Sequence, residues 1–249
     1  MPEVKDVNYW DYWYEMVKAS VLRDTKELPA IATAARLKGK EVMDVGCGPG
    51  RLVEPFSKLA KTITAVDEND WAIKMVTNFA VENRVENVQV VQAPLVSLPF
   101  DDDVSESTYC IWVIYHAKSR WQKMVNELVR VTQPGAPIVV GFATGNLDLP
   151  ALEDLVKPGH KEGCKAFDKA FPAWITEQGW PFERIIVPLE FNFKSPEFAL
   201  EVFSNTFFPR ASSREQLDAA LAFLREHTHN KKTVIRQELS LYVITKPKE

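Results

Sequence analysis

The chain is 249 residues long, 46% hydrophobic and 26% charged, with 30 Lys and Arg against 34 Asp and Glu. That length suits one large domain with a sizeable core, and the balance excludes wholesale disorder and collagen-like repeats. A net charge of −4 gives no broad basic footprint for nucleic acid, no apolar run approaches the roughly 20 residues of a membrane span, and three scattered cysteines (Cys47, Cys110, Cys164) suggest neither a disulfide framework nor a metal site.

The first residues, MPEVKDVNYWDYWYEM, lack the basic and apolar regions of a signal peptide, so a soluble, cytoplasmic protein is expected. Five aromatics (Tyr9, Trp10, Tyr12, Trp13, Tyr14) crowd one predicted helix in an N-terminal extension over 1–38. Trp10, Trp13, Tyr14, Val17 and Val21 form a helical stripe read as core packing, with Tyr9, Tyr12 and Met16 on another face.

From residue 41, short apolar runs alternate with helical patterns. Strands are predicted at Glu41–Val45, Thr62–Val66, Val88–Val91, Thr108–Val113 and Pro137–Phe142. Between them, Leu52, Val53, Phe56, Leu59 and Ala60 mark one helix, and Ala72, Met75, Val76, Phe79 and Ala80 a second, capped by Asn69 or Asp70. A third carries Trp121, Met124, Val125 and Leu128 behind a capping box of Ser119 and Gln122. This rhythm implies βαβ units around a parallel sheet, an α/β fold. Residues 149–178 read as helix broken at Pro158-Gly159. Arg184–Phe193 reads as a strand, and a helical insertion at about 195–230 holds a helix capped by Ser213 and Gln216. Val234–Thr245 reads as a long closing strand. A single domain over 1–249 is expected, with its core at 39–145 and a C-terminal half at 146–249.

Asp44-Val-Gly46-Cys47-Gly48-Pro-Gly50 lies between the first strand and its helix. Glycines suit a sharp turn that a ligand approaches closely, and the following helix N-terminus offers free N–H groups. Asp67 ends the second strand, where a carboxylate can accept ribose hydroxyls. These parts describe a nucleoside-bearing cofactor. The spacing is G-x-G-x-G rather than the G-x-G-x-x-G of dinucleotide folds.

With Glu41-Val-Met-Asp-Val-Gly-Cys-Gly-Pro-Gly-Arg-Leu52, Ala65-Val-Asp67, Leu98-Pro-Phe100-Asp-Asp, Tyr115-His116 and Leu128-Val-Arg-Val-Thr-Gln-Pro-Gly135, the chain resembles the class I S-adenosylmethionine (SAM)-dependent methyltransferases, in particular their type 11 small-molecule subgroup. The resemblance covers about residues 40–143. It implies a Rossmann-like fold with a seven-stranded, mostly parallel sheet, an antiparallel last strand and helices on both faces. It further implies that Gly46, Cys47, Gly48 and Gly50 pass beside the methionine part of SAM, that Asp44 orients the loop and helps receive the ammonium group, and that Asp67 binds the ribose. S-adenosylhomocysteine would be the product.

The adenine end departs from the family. Pro94 stands where an acidic acceptor is common, Glu68 where an apolar residue follows the ribose-binding acid, and Ala72 where a larger apolar residue is usual. Trp71 or the Leu95 backbone N–H is expected to replace those contacts, with simple packing of Trp71 as the alternative. Acceptor-side expectations are His116, as general base or as a structural histidine, and Tyr9, Tyr12, Trp13 and Tyr115 as pocket lining. His227-x-His229 reads as a solvated basic turn.

The expected activity is methyl transfer from SAM to a small-molecule acceptor, without metal, nucleic acid or membrane partners. A SAM-binding or scaffold relative without catalysis and a nucleotide-dependent reductase stand as alternatives.

Overall fold

The structure, a computed structural model, describes residues 9–248. In chain order its elements are α1 (Tyr9–Ala19), α2 (Leu28–Ala34), β1 (Glu41–Val45), α3 (Val53–Phe56), β2 (Thr62–Asp67), α4 (Asp70–Glu82), β3 (Val88–Gln92), β4 (Ser107–Ile111), α5 (Trp121–Val131), β5 (Pro137–Ala143), α6 (Asp148–Val156), α7 (His160–Glu177), β6 (Phe182–Phe193), α8 (Pro196–Thr206), α9 (Arg214–Glu226), β7 (Thr228–His229) and β8 (Lys232–Thr245).

The sheet runs β3-β2-β1-β4-β5-β8-β6, and the two-residue β7 pairs with β8 outside that path. The expected seven strands are present on the path, and β7 makes an eighth. The first five are parallel. Strand β8 runs against β5: Lys246 N–H donates to Ala136 O at 3.2 Å, and Thr144 N–H to Glu238 O at 3.3 Å. Strands β4 and β5 are almost wholly buried, as parallel strands covered on both faces must be.

The chain divides into two compact units, each discontinuous in sequence. One comprises Leu28–Phe142, Pro172–Ile185 and Ser240–Glu249, and holds strands β1 to β4 and nearly all of β5. Its core includes Val45, Ile63, Val66, Tyr109, Val139 and Tyr242, all fully buried. The other comprises the segment ending at Glu27, Ala143–Phe171 and Ile186–Leu239. Its core gathers Met16, Leu152, Phe193, Phe203, Leu224 and Ile235. The subdivision expected from sequence runs consecutively along the chain, whereas these units interleave.

Several local expectations are corrected. Helix α3 is a single turn rather than a helix reaching Ala60. The Asn87 side-chain amide takes the carbonyls of Ser57 (2.8 Å) and Ala60 (3.2 Å), ending the helix, and Leu59 is left exposed. The capping box at Ser119 is not formed. Residues Ile114–Arg120 are a 3₁₀ turn running straight into α5, so the helix follows Arg120 with no side-chain cap. Strand β4 stops at Ile111 because Trp112 adopts a φ of +66°.

The stripe on α1 is shifted. Met16 and Ala19 are buried, Tyr12 and Trp13 pack against the same cluster, and Tyr14 and Val21 are exposed. The physical reason lies in the neighbours. Tyr12 OH donates to Glu201 Oε1 of α8, Trp13 meets Phe207 edge-on at 6.4 Å, and the chain leaves the helix at Ser20 to bridge Phe191. Tyr9 and Trp10 lie on α1, but their side chains fall outside the described residues.

Elsewhere the expectations hold closely. Asn69 caps α4 by accepting the Trp71 N–H, Gly159 breaks α6 from α7 at a φ of +86°, and Ser213 and Gln216 form a complete capping box on α9.

Candidate functional site

In a parallel sheet the loops after the strands share one edge, and the order β3-β2-β1-β4 puts four of them side by side. Register fixes their level, with Asp44 opposite Ala65, Val45 opposite Val66, and Asp67 opposite Gln92. The edge therefore gathers Asp44 and the glycine loop after β1, Asp67-Glu68 after β2, Ala93-Pro94-Leu95 after β3, and Trp112–Tyr115 after β4.

The glycine loop turns back on the sheet: the N–H groups of Gly46 and Cys47 both donate to Val66 O, at 2.7 and 3.0 Å. The two first glycines serve different needs. At Gly46 (φ +82°) a Cβ would fall 2.6 Å from Val113 Cγ2, so the loop after β4 presses directly on this backbone. At Gly48 (φ +52°) nothing lies within 4 Å of that position, which leaves open space over the loop. At Gly50 (φ +90°) a Cβ would meet Val76 of α4 at 3.1 Å. Only Gly48 has the surroundings of a ligand cradle.

Asp67 is buried, and its carboxylate ties two loops together. Oδ2 accepts the Gly48 N–H and Oδ1 the Asn69 N–H, each at 2.9 Å. Burial raises its pKa, while those two N–H groups oppose the rise. Each oxygen keeps a further lone pair for a hydroxyl donor.

Asp44 is buried more deeply, and its Oδ2 has no hydrogen-bond partner among the described residues. Burial pushes its pKa up to about 8; the Arg51 charge opposes the shift and Asp67 adds to it. A buried carboxylate in this state gains strongly from an approaching cation. Cys47 is buried, and burial holds its thiol well above the ordinary range, so it fills space rather than acting as a nucleophile.

On the β3 side, Pro94 is exposed and Leu95 buried, and the Ala93 N–H donates to Asp67 O at 3.0 Å. Glu68 is exposed and Trp71 half-buried, each next to the Asp67 turn. On the β4 side, Trp112 N–H donates to Gly141 O at 2.8 Å, and Tyr115 is exposed. A bulky residue at positive φ costs on the order of 1–3 kcal/mol and tends to sit where a loop must be aimed. The His116 side chain lies outside the described residues. Tyr12 and Trp13 belong to the other compact unit, packed as described above.

Three residues here escape a sequence reading. Val113 supplies the steric reason for Gly46, Arg51 the charge facing Asp44, and Tyr109 a second buried oxygen without a partner among the described residues. Arg51 was detectable only as the residue after the last motif glycine, and the other two carry no motif signal at all.

Motifs remote from the loop have a structural job. Arg130 donates to Leu98 O (3.0 Å) and Phe100 O (2.7 Å) and pairs with Glu127 and Asp102, while Glu127 accepts the Leu98 N–H at 2.7 Å. The Leu128-Val-Arg-Val segment thus fastens the Leu-Pro-Phe loop. The turn at His229 is a tight hairpin with Asn230 and Lys231 at positive φ, and His227 stacks on Phe223 at 4.1 Å and faces Asp148 rather than being simply solvated. No group of three His, Cys, Asp or Glu able to hold a metal occurs among the described residues, and no described helix is long and apolar enough to cross a membrane.

The comparisons agree with this layout. Residues 43–140 match the methyltransferase domain family designated type 11. The chain is 34% identical over 101 residues to the uncharacterized methyltransferase YcgJ of Bacillus subtilis, covering 41% of this chain and 40% of that protein. It is 28% identical over 157 residues to norajmaline N-methyltransferase of Rauvolfia serpentina, covering 56% and 52%. The chain thus spans about half the length of the curated relatives it matches. The crystal structure of YcgJ superposes with a TM-score of 0.64 at 17% identity, covering 89% of this chain and 98% of that one, which establishes the fold alone. Residues 43–140 are thus similar to a methyltransferase domain, and the superposition shows that the chain shares the Rossmann-like fold of YcgJ.

Proposed function

We propose that the protein binds SAM across the carboxyl ends of β1, β2 and β3 and transfers its methyl group to a small-molecule acceptor. The observation that carries this reading is the pairing of Gly48 with Asp67: an open backbone cradle beside a buried carboxylate with lone pairs to spare. The residues present fit the cofactor. Asp67 suits paired ribose hydroxyls, and the buried carboxylate of Asp44 suits a neighbouring cation, acting across the loop that Arg51 also faces. Bound SAM supplies a methyl group already activated by its sulfonium.

The chain's own residues then have three tasks. Asp67 and the glycine loop fix the cofactor. Trp112 and Tyr115 aim the loop after β4 toward the acceptor side, where alignment rather than acid–base chemistry contributes most. His116 takes a proton from the acceptor where one must leave, or positions its ring. The relatives' names, an N-methyltransferase of norajmaline among them, support a small-molecule acceptor.

Calorimetry with SAM and S-adenosylhomocysteine tests the reading. Binding in the micromolar range is expected, and no heat at millimolar ligand overturns it. One observation favours the second reading, a binding relative without transfer: Pro94, exposed and without an acceptor side chain, occupies the position of the family's adenine contact. Binding without methylation across a panel of small amines, phenols and thiols would select that reading.

A further inference from the structure

In the unit that contains α6 and the first part of α7, three side chains with the chemistry of a reactive thiol meet. His160 Nε2 lies 3.2 Å from Glu153 Oε2 and 3.5 Å from Cys164 Sγ. His160 and Cys164 stand four residues apart on α7, and so on one helical face, while Glu153 reaches them from α6. The side chains of His160 and Glu153 are 20% and 15% exposed, and Cys164 is half-buried. Cys47 and Cys110, by contrast, are buried.

The support beneath the cluster is rigid. Asp154 Oδ1 accepts the Lys161 N–H at 3.0 Å, clamping the first turn of α7 to α6. A Cβ on Gly145 would fall 2.8 Å from Lys165 N and 2.9 Å from Lys161 O, so the backbone that carries Cys164 rests directly on that glycine. Contact with Cys164, then Glu153, pushes the His160 pKa up to about 10, which keeps the ring protonated at neutral pH. Lys157, Lys161 and Lys165 surround the same turn. Glu162 pairs with Lys165 at 2.9 Å. Glu153 Oε2 and Cys164 Sγ meet the same ring nitrogen, Nε2, so a histidine positioned by a carboxylate stands within reach of the sulfur as its proton partner.

We infer that Cys164, His160 and Glu153 form a modification site in which a nucleophilic thiol reacts with hydroperoxides. The thiolate attacks one peroxide oxygen, an S–O bond forms as the O–O bond breaks, and the leaving oxygen takes the imidazolium proton to depart as water or an alcohol. Cys164 is oxidised to the sulfenic acid and the peroxide is reduced. The inference is independent of the methyl-transfer reading.

Two measurements on the full chain test it. Iodoacetamide labelling at pH 7, resolved by peptide mass, is expected to modify Cys164 at least tenfold faster in the folded protein than in the same chain unfolded in urea. His160→Gln and Glu153→Gln, checked for folding by circular dichroism, should each slow the folded rate at least fivefold. After hydrogen peroxide, dimedone should trap a sulfenic acid at Cys164 in the wild type and much less in His160→Gln. A folded rate no faster than the unfolded one overturns the inference, as does a rate or dimedone yield unchanged in both variants.

Discussion

The backbone N–H of Gly48 donates to Asp67 Oδ2 at 2.9 Å, so the glycine loop after β1 and the turn after β2 are joined through a single buried carboxylate. One residue thereby shapes the loop and offers the loop's neighbour an acceptor. Replacing Asp67 with Ala removes both at once. SAM affinity is expected to fall at least tenfold by calorimetry, together with a stability loss of about 1–3 kcal/mol for the freed buried N–H groups. Unchanged affinity would detach Asp67 from the cofactor.

The two first motif glycines should fail differently. Gly46→Ala forces a Cβ onto Val113 at positive φ and is expected to lower stability by about 2 kcal/mol or more, with partial rescue by Val113→Ala. Gly48→Ala meets nothing within the protein, so its larger effect should be on SAM affinity. Thermal melting with and without ligand separates the two, and equal behaviour would refute the distinction.

Asp44 links stability to pH. Its folded pKa, raised from 3.8 to about 8, means that the native state binds more protons than the unfolded chain between those values. Stability from this group therefore falls as pH rises through the window and is level outside it. Asp44→Asn removes the effect. The melting temperature of the variant minus that of the ligand-free wild type should climb from about pH 4 to pH 8, by roughly 3 °C or more, and then flatten. A difference independent of pH would show that the carboxylate charges without penalty.

Tyr109 faces Asp44 across the β1–β4 register, fully buried, with its hydroxyl lacking a partner among the described residues and its ring edge-on to Phe56 at 5.8 Å. Tyr109→Phe keeps the ring contact and removes the stranded oxygen. Urea denaturation should find it neutral or stabilising by about 1 kcal/mol, whereas Tyr109→Ala should cost about 3–5 kcal/mol. A marked loss in the Phe variant would mean that the hydroxyl is bonded.

Arg130 holds the Leu98-Pro-Phe100 loop by two carbonyls and pairs with the carboxylates of Glu127 and Asp102. Arg130→Ala is expected to cost about 1–3 kcal/mol after allowing for its partial exposure, and to speed hydrogen exchange in residues 98–102. The Glu127 pKa is lowered, chiefly by Arg130. The stability it contributes is therefore present above its ordinary value and lost as pH falls through the lowered one, a loss that Arg130→Ala should blunt.

The sheet's parallel core, the Ser213 cap, the choice of Asn69 or Asp70 at the start of α4 and the place of the glycine loop were legible in the residues alone, because alternating periodicity, capping side chains and glycine spacing act over a few residues. The sequence was silent or mistaken wherever a distant segment decided the outcome. Asn87 ended α3 a turn early by capturing two carbonyls, and α8 selected the Tyr12 and Met16 face of α1 over the more conspicuous aromatic stripe. Within the loop, three glycines read alike in the sequence. Only the tertiary structure separated them, since Val113 and Val76 fill the space beside Gly46 and Gly50 and leave it open beside Gly48. Spacing is a property of the chain, but the room beside a backbone atom belongs to its neighbours in space.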